Sequence, residues 1–416
     1  MLTENNQKLK KILFVHHTTA VGGATNSMLY NIQQLPGTGY EAEVLFLDKR
    51  GPASDIFEKQ GIKITHLEGI THYQHANGAC IKWAQRNPLQ PITQYFKMLA
   101  SVPKLQRYLK GKQFDIIHIN TSVMLSMGIA AKKSGYIVVW HVREQLSNGL
   151  TGIRKRLVRN IINRNSDKII SISRENAQHL AVPGKTEVVY NFVDFNKFNK
   201  DLDKSLLYAE LQLLPQTVFV TMLGGIGHSK GADIFIKALP AVLSKNPDAV
   251  FVIAGYAPAD FKRSNKGNPV IKFIKSLLGR KSVIAECLRL IHENGLTEKV
   301  KFIGLRQDIP QVLASSAILV WPAPVAHFAR PIIEAQAMGI PAVASNFKST
   351  TEVVENGKTG LVFQPLNPTD LADKINQLLR DKQLYDLISS EGYKQAKQLF
   401  NAQINFKKIL AVYNSL

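Results

Sequence analysis

Residues 318–341 read ILVWPAPVAHFARPIIEAQAMGIP, and this stretch decides the fold. The run Ile318-Leu319-Val320-Trp321 is apolar at every position. A strand without polar alternation is buried on both faces, as in a parallel sheet. Pro322 and Pro324 break the run, and a helix is predicted to begin near Arg330-Pro331, since proline suits the first helical turn. Strand, loop and helix in that order form the repeating unit of a doubly wound α/β domain, whose ligands gather where helix N-termini face the carboxyl ends of the strands. Glu334 falls about one turn into that helix. A carboxylate there can accept both hydroxyls of a ribose, or simply interact with the helix dipole for about 0.3–1 kcal/mol.

The same alternation extends outward in both directions. Strand-like runs occur at residues 11–15, 43–47, 63–67, 115–119, 137–140 and 168–172, then at 218–223, 249–254, 301–303, 318–321 and 342–344. Helix-length segments separate them, which predicts parallel sheets covered on both faces. At 416 residues the chain suits two domains. The break falls near Tyr190-Asn191-Phe192-Val193-Asp194, before the polar stretch 196–203. The expected domains are therefore 1–194 and 195–400, followed by a last helix within 401–416.

Several loops carry candidate chemistry. Ala20-Val21-Gly22-Gly23-Ala24 follows the first strand and opens a helix, where backbone can approach a phosphate or merely make a tight turn. Leu223-Gly224-Gly225-Ile226-Gly227-His228-Ser229-Lys230-Gly231 repeats that plan. It is not read as a dinucleotide fingerprint, because the second strand of this half ends Ile253-Ala254-Gly255 without the acidic ribose partner. Lys230 is read instead as a point charge for a diphosphate, against the alternative of a surface lysine at a helix start. Gly184-Lys185-Thr186 and Gly357-Lys358-Thr359 lack the leading glycine of a P-loop, with His179 and Glu352 in its place, and are read as turns. Asp201-Leu202-Asp203 reads as a solvated turn, and His72 with His75 as a metal pair without companions.

Charge and composition narrow the setting. The net charge of +21 is spread over both halves and attracts anions, but no nucleic-acid-binding motif accompanies it. Cys80 and Cys287 do not make a disulfide framework. No signal peptide or membrane span is read, so a cytoplasmic protein is expected. Two segments have a basic amphipathic pattern: Ile153 to Arg164, with Ile153, Leu157 and Ile161 as its stripe, and residues 262–281. Each either lies on an anionic membrane surface or packs its stripe on its own domain.

Taken together, these residues resemble the retaining glycosyltransferases of family 4, also called group 1. The resemblance runs from Gly22-Gly23 through Asp115-Ile116-Ile117-His118, His141, the Tyr190 to Asp194 linker, Lys230-Gly231 and Phe328 to Pro341, to Glu352 to Phe363 and Asp370-Leu371-Ala372. It implies a GT-B fold, two Rossmann-like domains facing across a cleft, the first binding acceptor and the second a nucleotide sugar. It implies a metal-independent transfer of a sugar, with retention, from a UDP- or GDP-sugar to the hydroxyl of a glycan or lipid-linked acceptor. No further cofactor is implied, and the setting is polysaccharide assembly, in the cytoplasm or peripherally on the inner membrane face.

The resemblance also assigns roles. Glu334 matches the second glutamate of a Glu-x7-Glu motif and holds the ribose. Lys230 binds the diphosphate, His141 lies near the transferred sugar, and Gly22 and Gly23 make room for diphosphate or acceptor. Gly225, Phe328, Ala329 and Arg330 complete the donor contacts through backbone and side chain. The last helix, about residues 402–413, crosses back to the first domain.

Three positions depart from the pattern. Ala326 replaces the first glutamate, Gly225 stands where an arginine often partners the lysine, and Ala329 replaces a glycine. Alanine at 326 lacks the carboxylate that contacts the donor sugar in the family, and His327 or Arg330 is expected to take over some of those contacts. A second reading, motivated by Ala326 and Gly225, is a sugar-nucleotide- or glycan-binding protein of the same fold that does not catalyse transfer.

Overall fold

The computed structural model describes residues 8–75, 89–146, 152–227, 229–256 and 283–416. His228, Cys80 and the basic segment 262–281 lie outside the described residues. The chain divides into two compact units, residues 1–191 with 403–416, and residues 192–402.

The first unit holds a seven-stranded sheet: β1 (Lys10–His16), β2 (Tyr40–Phe46), β3 (Lys63–His66), β4 (Ile116–Ile119), β5 (Ile137–Val142), β6 (Lys168–Ser171) and β7 (Thr186–Val188). Its order is β3-β2-β1-β4-β5-β6-β7, and every pairing is parallel. The period of two sorts side chains to the two faces. Leu13 and Val15 enter one core with Ile117, Ile119, Val138 and Trp140. Ile12 and Phe14 enter the other with Ile116, Val139 and Ile170, and Phe406, Ile409, Val412 and Tyr413 of the last helix cover that second face. This helix, Ala402–Asn414, is pinned by the buried Tyr413 hydroxyl, 2.8 Å from His118 Nδ1.

The second unit holds six strands: β8 (Val218–Leu223), β9 (Ala249–Ala254), β10 (Val300–Gly304), β11 (Ile318–Trp321), β12 (Ala342–Ser345) and β13 (Leu361–Phe363). The order is β10-β9-β8-β11-β12-β13, again parallel throughout. In each sheet the strand order reverses once, between β1 and β4 and between β8 and β11. Open sheets bind ligands beyond the strand ends at such a reversal.

Some expectations change. The edge strands β7 and β13 were not among the expected runs. The helix Ile153–Arg164 buries Val158 and Ile162, with Leu157 and Ile161 packed beside them, while Ile153 is 67% exposed. Its buried stripe is therefore displaced from the expected one and faces the core of its own unit. Asp203 accepts the Ser205 amide at 2.8 Å, as a turn carboxylate. Among the described residues, no three His, Cys, Asp or Glu side chains converge as metal ligands, and no helix is long and apolar enough to cross a membrane.

Candidate functional site

The second unit gathers its candidates at the β8/β11 reversal. Beyond β8, Gly224 and Gly225 both have positive φ, 111° and 67°. Their amides each donate to Ala254 O at 2.8 Å, and Ile226 N donates to Tyr256 O at 2.9 Å. The turn after β8 is thus laid directly on the turn after β9. A Cβ at Gly225 would lie 2.3 Å from Tyr256 N. The arginine common at this place in the family has no room, which gives the departure at Gly225 a backbone cause.

Lys230 follows. Its aliphatic stem runs past Gly224, where a Cβ would come within 3.1 Å of Lys230 Cδ, and its Nζ stands 4.9 Å over the Trp321 ring. Burial lowers its pKa below that of a free lysine. Gly231, at φ +77°, opens the helix Ala232–Leu243, and a Cβ there would sit 1.9 Å from Pro322 O. Only glycine lets this helix start abut the end of β11.

The loop after Trp321 brings His327 back against it, edge to face at 5.1 Å. His327 Nδ1 lies 2.9 Å from Val325 O. A carbonyl only accepts, so Nδ1 carries the proton and Nε2 an open lone pair. That Nε2 is buried without a protein partner. Burial, and then the charge of Lys230, pull the ring's pKa down to about 4, so it is neutral. Ala329 precedes the helix Arg330–Ala337 with φ −94°, which alanine adopts freely; no glycine is needed there.

Arg330 and Glu334 stand one turn apart, with Arg330 Nε donating to Glu334 Oε1 at 2.9 Å. Glu334 is largely buried, and this burial raises its pKa against the lowering effect of Arg330. Arg330 therefore engages Glu334 directly, a pairing present in the i, i+4 spacing but not read from it. Phe328 is half-buried in the same loop.

The first unit gathers a second group beyond β1, β4 and β5. Asn120 Nδ2 donates to His16 Nδ1 at 3.2 Å, which leaves His16 Nε2–H to donate to Thr25 Oγ1 at 3.3 Å, and Thr25 donates to Ala20 O at 2.9 Å. This relay fixes the Gly22-Gly23 loop to the sheet. A Cβ at Gly22 would meet nothing within 4 Å, so the space beside it is open. Gly23 begins the helix Gly23–Gln33.

His141 is 3% exposed. Its Nδ1 lies 3.4 Å from Arg143 Nη2, and burial followed by the Arg143 charge keep the ring neutral. Arg143 also reaches Asn120 Oδ1 at 3.0 Å and Asn191 Oδ1 at 3.2 Å. Glu144 is half-buried and accepts from Thr121, the Ser122 hydroxyl and the Ser122 amide; desolvation pushes its pKa up, but these bonds outweigh it and hold it below the usual range. Arg143 and Glu144 were not singled out from sequence, although both directly follow the His141 strand.

Lys230, Gly225, Phe328, Ala329, Arg330 and Glu334 thus lie together in one unit, and Gly22, Gly23 and His141 in the other. Two doubly wound units, each with its loops at the reversal, define a GT-B glycosyltransferase. The family model "Glycosyltransferase Family 4" matches residues 21–197, and "Glycosyl transferases group 1" matches residues 207–395. The chain belongs to this family of retaining glycosyltransferases, which transfer a sugar from a nucleotide-diphosphate donor. It is 27% identical over 268 residues to the lipopolysaccharide core biosynthesis mannosyltransferase LpsB of Rhizobium meliloti, covering 64% of this chain and 69% of that one. It is 27% identical over 337 residues to the UDP-Gal:alpha-D-GlcNAc-diphosphoundecaprenol alpha-1,3-galactosyltransferase of Escherichia coli, covering 76% and 79%. The structure of Anabaena Alr3699/HepE in complex with UDP aligns over 98% of this chain and 100% of that one, with a TM-score of 0.74 and 25% identity.

Proposed function

We propose that the chain uses a UDP-sugar and transfers its sugar, with retention, to the hydroxyl of a glycan or lipid-linked acceptor. The observation that carries this reading is the convergence of Lys230, Trp321, His327 and the Arg330–Glu334 pair at the β8/β11 reversal. In this reading Lys230 neutralises the diphosphate, Glu334 accepts the ribose hydroxyls, and Arg330 keeps that carboxylate ionised and aimed. Gly225 and the backbone from Phe328 to Arg330 line the donor. Uridine is supported by the UDP complex of HepE and by the UDP-galactose donor of the galactosyltransferase relative. That relative, whose name contains a diphosphoundecaprenol-linked sugar, and the lipopolysaccharide relative support the acceptor class.

The chemistry is electrostatic. Negative charge grows on the leaving diphosphate, and a preplaced ammonium of a partly desolvated lysine stabilises it more than water does. The N-terminal contribution comes from Gly22, Gly23 and His141, the last acting near the transferred sugar. Its neutral ring takes part by hydrogen bonding, and Arg143 supplies the charge beside it. Attachment to an anionic membrane surface is supported by the +21 net charge and by exposed Ile92, Phe96 and Ile153 on the first unit.

The test is a panel of UDP-, GDP- and ADP-sugars with release of the nucleoside diphosphate as readout. UDP-sugars are expected to react, and release from none of the panel rejects transfer in favour of a binding protein. Lys230→Ala is expected to lower kcat by about 10²–10³ with the fold unchanged. A near-normal rate in that variant removes Lys230 from the mechanism.

A further inference from the structure

Three side chains meet the Arg143 guanidinium, each at a different nitrogen. Nε donates to Asn120 Oδ1 at 3.0 Å, Nη1 to Asn191 Oδ1 at 3.2 Å, and Nη2 to His141 Nδ1 at 3.4 Å. The asparagines hold the plane of the group. Asn120 is fully buried, and its Nδ2 stands 3.2 Å from Ala24 O, which can only accept. The amide is therefore turned with Oδ1 toward Arg143. Asn191 takes a second corner of the fork. A planar guanidinium held at Nε and Nη1 has little freedom left at Nη2.

That geometry decides where the His141 proton sits. Arginine carries five N–H groups and no acceptor, and it stays charged. Its Nη2 can donate to His141 Nδ1 but cannot accept from it. An Nδ1–H turned toward the guanidinium would set two donors face to face. The neutral ring holds one ring proton, and Arg143 drives that proton to Nε2. A hydrogen bond from a charged donor favours this tautomer by about tenfold or more. The ring is also confined: it is buried, the His118 ring packs edge to face against it at 5.5 Å, and His118 is itself tied to the Tyr413 hydroxyl.

The consequence is chemical. A histidine that takes a proton from a hydroxyl needs its Nδ1–H tied to an acceptor, which leaves a lone pair on Nε2. His327 has that arrangement, with Nδ1 at Val325 O. His141 has the reverse. Its Nε2–H can donate to an oxygen, but it has no lone pair there to receive a proton.

We propose that Arg143 is a positioning residue that fixes His141 as an Nε2–H donor, so that His141 hydrogen-bonds an oxygen of the transferred sugar and does not serve as the base for the acceptor hydroxyl. The proposal rests on the transferase reading above and on the place given there to His141.

Nitrogen NMR of the full chain, isotope-labelled at histidine, tests the tautomer without reference to turnover. The signals lost in His141→Gln identify the His141 ring. In the wild type its Nδ1 is expected to be unprotonated and its Nε2 protonated. Arg143→Met removes the donor and should mix the two tautomers. Arg143→Lys keeps a donor-only cation and should hold the wild-type tautomer. Nucleoside diphosphate release from UDP-sugars is the second readout. Arg143→Met is expected to lower kcat about 10- to 100-fold with the donor KM within about twofold, the pattern of a group misplaced at the reacting centre. Arg143→Lys should recover the larger share of that loss. His141→Gln, whose amide can still donate, should turn over at least about tenfold faster than His141→Ala, which loses the hydrogen bond outright. A protonated Nδ1 in the wild type, an unchanged His141 spectrum in Arg143→Met, or a glutamine variant as slow as the alanine variant overturns the proposal. Should Arg143→Met fail to fold, the wild-type and Arg143→Lys spectra decide. Should the wild type release nothing from any UDP-sugar, the transferase reading fails, and the spectra still decide the tautomer.

Discussion

Arginine at position 225 would restore the side chain that the family often places beside its lysine, and here it should weaken the donor site. Gly225 has φ +67°, where a non-glycine residue costs about 1–2 kcal/mol. Its Cβ would lie 2.3 Å from Tyr256 N and 2.6 Å from Tyr256 O, both backbone atoms that cannot rotate away. The two turns must separate by about 1 Å, an overpacking cost of a further 1–3 kcal/mol. With a total near 3 kcal/mol, a unit the size of residues 192–402 should melt roughly 6–12 °C lower. A displacement of about 1 Å at Lys230 also lowers turnover by up to ~10²-fold. Differential scanning fluorimetry reads the first effect and nucleoside diphosphate release the second, with calorimetry on UDP reporting the donor site itself. Gly225→Ala is the comparison, because it carries the same backbone cost without the guanidinium. If Gly225→Arg binds UDP tenfold more tightly than wild type at an unchanged melting temperature, the steric account of this departure is wrong.

Arg330→Ala removes the cation that opposes the burial of Glu334, so the carboxyl pKa rises further. A raised carboxyl pKa means less carboxylate at low pH, so the variant should lose more UDP affinity at pH 6 than at pH 8, as calorimetry at both pH values would show. Glu334→Gln should raise the donor KM and leave little pH dependence of this origin. At Gly22 the φ of −164° suits any residue and the space is open, so Gly22→Ala should leave the melting temperature within about 1 °C of wild type while lowering kcat/KM. His118 is buried with a pKa lowered to about 3, below its unfolded value near 6.5. The unfolded chain therefore binds the extra proton between these values, so the stability is complete above about pH 6.5 and lost as pH falls, about 2 kcal/mol by pH 5. His118→Asn should flatten the fall of chemical-denaturation stability between pH 6 and pH 4.

The strands that were legible are those with long apolar runs, such as Val218–Leu223 and Ala249–Ala254, because burial on both faces leaves a continuous signal. Thr186–Val188 and Leu361–Phe363 are three-residue edge strands, too short to stand out from the loops around them. The helix Ile153–Arg164 was legible in extent, but its buried side was misread, since Ile153 and Val158 are equally apolar letters and only packing separates them. Lys230 and Glu334 were legible because a lysine before a helix-start glycine and a glutamate one helical turn in are local patterns. What Gly225 does was not, because the backbone it touches belongs to Tyr256 on another strand end. Arg143 escaped for the same reason: its partners Asn120 and Asn191 come from distant loops, and their approach is a property of the folded sheet.

Residues 403–416 belong to the unit that the chain begins. During synthesis the first sheet emerges early, yet Phe14, Val139 and Ile170 await a cover made more than two hundred residues later. The intervening 192–402 segment has all its strands and can close on itself before then. The earliest-made half is thus the last to mature, and its bare apolar face is the surface a chaperone must shield in the interval. Expressing residues 1–191 alone would make that interval permanent, so a soluble first unit requires the terminal helix to be supplied with it.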